Sequence, residues 1–94
     1  MQRYTKAFLE RRLELLAMDT GWNVKGPIWK DGKAIVGRVF LQKAPVGNRW
    51  RIVEMATEGG GEFNHTDTMS PSELVEWTGG AMWAFQEMKR RATA

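Results

Sequence analysis

Cysteine is absent from all 94 residues, so neither a disulfide framework nor the common Cys-containing zinc sites can form. Histidine is almost absent too, with His65 the only one. A lone imidazole among scattered carboxylates is a poor start for a metal site or a catalytic triad. No window approaches 18 uninterrupted apolar residues, so no membrane-spanning helix and no membrane partner are expected. The opening MQRYTKAFLERR is charged from residue 3 onward and has no apolar stretch of signal-peptide length. With the lack of cysteine, this predicts a cytoplasmic protein. Repeats, low-complexity tracts and linkers are also missing, which leaves a single domain over residues 1–94.

What is present is the composition of a folded globule: 43% apolar and 27% charged residues. A domain of this size has a thin core. Five Trp and four Phe are more aromatic surface than such a core readily hides, so at least one Trp is expected outside. The formal charge of +3 favours acidic partners in sign, nucleic acid among them, but is no larger than many ordinary small domains carry.

Residues 4–18 read as a helix. Tyr4, Phe8 and Leu15 fall on one flank of an apolar arc and Leu9, Leu13 and Leu16 on the other. Arg12 projects between the flanks, either snorkelling to water or serving as a partner-facing or acid-paired arginine. Gly21 suits a helix stop. Trp22 to Trp29 and Ala34 to Lys43 read as strands around Asp31-Gly32, a two-residue hairpin signal. Pairing Lys30 with Lys33 sets Ile28 opposite Ile35, Gly26 opposite Gly37, Val24 opposite Val39 and Trp22 opposite Leu41. Pro27 then marks an edge strand. A third strand is expected from Arg49 to Thr57, with both faces partly covered or a bulge, and residues 58–68 read as an exposed loop. Ser70, Pro71 and Glu73 spell a capping box for a second helix running to about Arg91, with Met69 and Leu74 as a hydrophobic staple. Leu74, Trp77, Ala81, Ala84, Phe85 and Met88 share its apolar face. The expected fold is α+β, in the order α-β-β-β-α and in two layers.

Two surfaces stand out as candidate sites. Trp83 lies on the second helix with Glu76, Glu87 and Arg90, one turn past Gly79 and Gly80. An exposed Trp beside a smooth patch of helix has the form of a protein–protein anchor; the structural alternative is a Trp covered by the first helix or a loop. The other surface is the sheet face carrying Lys25 opposite Arg38, with Trp29 and Phe40 nearby and Arg51 added if the third strand pairs through Leu41 and Ile52. Cations beside rings suit single-stranded nucleic acid, unless a helix covers that face. Gly59-Gly60-Gly61 lacks the Gly-Lys-Ser/Thr of a phosphate loop. Glu54, Glu58 and Glu62 give no sign of a paired-carboxylate mechanism. No enzyme, cofactor or metal is expected.

From about residue 50 to residue 91 the order is a strand, Glu-Gly-Gly-Gly, a polar loop with Ser-Pro, then a Glu-Leu-x-Glu-Trp helix, and the pieces read RIVEMATEGGGEFNHTDTMSPSELVEWTGG. This order resembles small accessory proteins encoded by bacteriophages and prophages, which also open with a charged helix. The resemblance spans about half the chain and carries over no functional residues. It implies binding to a host protein or nucleoprotein in the host cytoplasm, with inhibition or redirection of that partner. An anti-CRISPR or other anti-defence inhibitor is one member of the class. The expectation is therefore a non-enzymatic interaction module acting through Trp83, with direct nucleic-acid binding as the alternative and self-association left open.

Overall fold

Thr5 begins the first helix. Its side chain accepts a hydrogen bond from the Phe8 N–H at 3.1 Å, and α1 follows over Lys6–Thr20. Gly21 ends it in the left-handed conformation, where its N–H caps the Ala17 carbonyl at 2.8 Å, as its position predicts. A computed structural model describes residues 4–92, so the charged start at Met1 to Arg3 lies outside the described residues.

The hairpin turn is where the sequence places it. Asp31 and Gly32 both have positive φ, and they join β1, Trp29–Lys30, to β2, Lys33–Ala34, with Lys30 opposite Lys33. One further rung of the expected register survives: the Ile35 N–H donates to the Ile28 carbonyl at 2.8 Å. Beyond it the register fails. Gly26 and Gly37, expected to face each other across two strands, both sit at positive φ and turn the chain instead. The Arg38 N–H closes a tight turn on the Ile35 carbonyl, and Asn23 meets Arg38 in a parallel bridge. Residues 22–28 are thus an irregular strap rather than an edge strand. Neither Val24 with Val39 nor Trp22 with Leu41 forms an antiparallel pair.

The main sheet is β3 (Val39–Lys43), β4 (Trp50–Met55) and β5 (Glu62–Asn64), antiparallel, with β4 in the middle. Leu41 does pair with Ile52, and the register runs unbroken from Val39–Glu54 to Lys43–Trp50, so no bulge intervenes. Both faces of β4 are covered: Trp50 and Ile52 are buried on one, Val53 and Met55 on the other. The expected loop at residues 58–68 contains β5. Its short, exposed Glu-Phe-Asn carries no alternation by which a sequence could announce it.

The second helix, α2, spans Pro71–Ala92. Its capping box forms in both directions: Glu73 N–H to Ser70 Oγ at 3.3 Å, and Ser70 N–H to Glu73 Oε1 at 3.1 Å. These bonds favour the ionised carboxylate and hold the Glu73 pKa below its ordinary value. Both helices cover the sheet face that bears Val39, Trp50 and Ile52, where Leu9, Leu13 and Leu74 complete the core. Each fully buried aliphatic side chain there contributes roughly 1.5–3 kcal/mol. Met69 and Leu74, the expected staple, both reach this core. The result is an α+β fold, with five strands in two small sheets among the described residues rather than three in one.

Candidate functional site

The two helices differ in length, and that difference builds the candidate site. At 1.5 Å per residue, α2 runs about 33 Å and α1 only about 22 Å. The radius of gyration is 14.3 Å, against about 12.4 Å for a compact chain of this length, and the thinnest dimension is 20 Å. Such a flat body cannot enclose the whole of a long helix. The first two turns of α2 are sunk in the core, with Leu74 and Thr78 each 1% exposed. Past Thr78 none of its residues is buried.

Thr78 marks the boundary. Arg12 reaches across from α1 and donates from Nε to Thr78 Oγ1 at 3.2 Å and from Nη2 to the Val75 carbonyl at 3.0 Å. Arg12 is therefore neither snorkelling nor paired with an acid: it clasps one helix to the other. Hydrogen bonds to charged groups contribute roughly 1.5–3 kcal/mol each when shielded. The clasp also explains Gly79, where an added Cβ would lie 3.2 Å from Arg12 Nη2. Gly79 serves the packing between helices, which corrects its expected place in a partner-facing patch. Gly80 behaves differently. Nothing approaches the position of its absent Cβ, so it lies open on the surface.

The rest of the expected constellation is present on one side of α2. Trp83 is 67% exposed, with Gly80 and Glu76 on the same side and also exposed. Glu87 is ion-paired with Arg90 and, at 3.5 Å, with Arg91, which leaves the indole beside a partly neutralised border. Further round, Met88 is 65% exposed, although periodicity places it on the core face. Asp19 at the end of α1 holds this half of α2 in place, accepting from Gln86 at 3.2 Å and pairing with Lys89 at 3.6 Å. Trp83 thus stands on a tethered, capped helix, and its side chain is free of the core.

The basic and aromatic sheet face does not assemble. Lys25 lies in the irregular strap and Trp29 in the small hairpin, where its ring rests on Gly60. Arg38 turns inward and donates to the Gly26 and Val39 carbonyls. Burial lowers its pKa, with Glu10 opposing. Phe40 and Arg51 do share a side of the main sheet, but Arg51 is bound to Gln42 at 2.6 Å and lies 3.8 Å from Glu62. Five residues expected on one face are spread over three strands, the strap and the turn before β3, with two of the three arginine and lysine side chains engaged internally.

One arrangement was missed in the sequence. His65 Nε2 meets Glu54 Oε1 at 2.9 Å. Its ring lies 4.4 Å from Trp22 and 5.0 Å from Phe63. Glu58 and Glu62 pair with Lys33 and Arg51, so the three glutamates separate. Among the described residues no three potential metal ligands come together. Compared with known protein families, with curated proteins and with solved structures, the chain has no match.

Proposed function

We propose that this chain is a non-enzymatic binding module that docks a macromolecular partner through Trp83 and the α2 surface around it, and so modulates or inhibits that partner. The observation that supports this reading is the 67% exposure of Trp83 on the half of α2 that leaves the core. An indole held out on a rigid helix brings large contact area with little side-chain entropy to lose, the property that makes Trp prominent in interface hot spots. Gly80 leaves the helix smooth beside it, and Glu76, Glu87 and Arg90 supply a polar border. The resemblance to phage accessory proteins from about residue 50 to residue 91 adds a class of partner: a host protein or nucleoprotein in the host cytoplasm, with defence complexes among the targets. That step rests on the resemblance alone.

The test is affinity capture from a bacterial lysate with wild type and with Trp83→Ala, each with and without nuclease treatment. The expected result is a protein retained after nuclease and lost with the variant, at a cost of about 2 kcal/mol or more in affinity. The variant's melting curve should stay close to wild type, because surface substitutions usually fall within about 0.5 kcal/mol. A partner held equally by both proteins, or a variant that melts far below wild type, sinks the reading.

A further inference from the structure

A second surface lies on the outer side of α1, away from α2. Two adjacent cavities of about 330 and 160 Å³ share Glu14 and Val24 in their walls, so they form one line along the helix from Met18 to Lys6. The larger is lined by the apolar side chains of Leu15, Trp22 and Val24, with Met18 at its edge. Met18 is 79% exposed at its mouth. Trp22 is backed by His65 at 4.4 Å, and Glu54 fixes that imidazole at 2.9 Å, so this aromatic wall is supported from behind.

The charges along the line are unequal. Lys6, Arg11, Lys25 and Arg38 face only Glu10 and Glu14. Arg11 is 3.4 Å from Glu14, and Glu10 is the acid that attracts Arg38. Lys6 in the wall of the smaller cavity and Lys25 in the wall of the larger make no ion pair with any described residue. The helix from residue 6 to residue 18 is about 18 Å long, the reach of roughly five or six residues of extended chain. A line of two open cavities suits a chain segment better than one enclosed pocket would.

We infer that the groove between α1 and the strap at residues 22–28 binds an acidic, extended peptide segment of a partner protein. One large apolar side chain of the segment sits between Met18 and Trp22, and its carboxylates meet Lys25 and Lys6. This surface is separate from Trp83, and the two can be tested apart.

The test is selection of a displayed library of random 12-residue peptides on the wild-type protein, followed by affinity measurement of synthetic copies of the selected peptides. Asp and Glu should be enriched around a single Leu, Phe or Trp. Lys25→Glu and Lys6→Glu should each weaken binding about tenfold, and more salt should weaken it further. Both lysines are exposed, and an acid at position 6 suits the start of a helix, so the variants should remain folded by melting curve. Trp83→Ala should leave peptide affinity unchanged. Recovery of no binders, binders without acidic enrichment, or affinities indifferent to both lysine changes overturns the inference. Loss of binding with Trp83→Ala, or competition by the single-stranded oligonucleotide dT12, overturns it as well.

Discussion

The two halves of α2 share one continuous backbone but follow different rules. From Pro71 to Thr78 the helix is defined by burial: Leu74 in the core, Thr78 under the Arg12 clasp, and a reciprocal cap at its start. From Gly79 to Ala92 no residue is fully buried, Asp19 ties Gln86 and Lys89 to the end of α1, and the large side chains Trp83 and Met88 face solvent. Helix propensity and tertiary packing are thus separated within one element. Buried side chains of the first half carry stability, whereas Trp83 and Met88 in the second lie open to solvent.

Leu74→Ala should show the largest effect. It empties a fully buried site and should cost about 2–5 kcal/mol in a urea titration. The equivalent truncation of Met88 should cost far less, and equal costs would erase the distinction between the halves. Thr78→Val comes next, at about 1.5–3 kcal/mol, because it removes the oxygen that accepts from the Arg12 guanidinium. A double-mutant cycle with Arg12→Met should reveal coupling. Strict additivity would show that the clasp is geometry without energy.

The cap provides a pH test at the smaller scale of about 1 kcal/mol for Ser70→Ala. The Glu73 pKa is lower in the folded protein, so its stabilisation is fully present above the ordinary carboxylate value of 4.5 and is lost as pH falls through the lowered one. Glu73→Gln should therefore flatten the acid limb of the stability curve, and an unchanged limb would remove this account. The smallest effect distinguishes the glycines at the boundary. Gly80→Ala should raise stability by up to about 1 kcal/mol, through helix propensity in open space. Gly79→Ala should gain less or lose, because its Cβ would press on Arg12. Identical melting shifts for the two would refute the boundary.

Legibility in the sequence followed the range of each interaction. Ser70, Pro71 and Glu73 announce the start of α2, and Asp31-Gly32 announces a turn, because cap and turn energies are settled within four residues. Gly21 is legible for the same reason. The exposure of Trp83 was also readable, since the wheel places it among charged neighbours. The strap was not readable. Val24, Ile35 and Val39 alternate as a paired strand would, and nothing local distinguishes a glycine inside a strand from Gly26 and Gly37 bending the chain at positive φ. The expected basic sheet face depended on that register and dissolved with it.

The sequence by itself determined two amphipathic helices, their caps, one hairpin turn and an α+β class, because periodicity and capping are local chemistry. Only the tertiary structure decided that β5 pairs with β4, that His65 chooses Glu54, and that Arg12 closes on Thr78, 66 residues away. Each of these contacts depends on which backbone is brought beside which, and that is fixed by burying apolar surface from the whole chain at once. The same global burial is satisfied by the first two turns of α2, which leaves the rest of the helix, and Trp83 with it, outside.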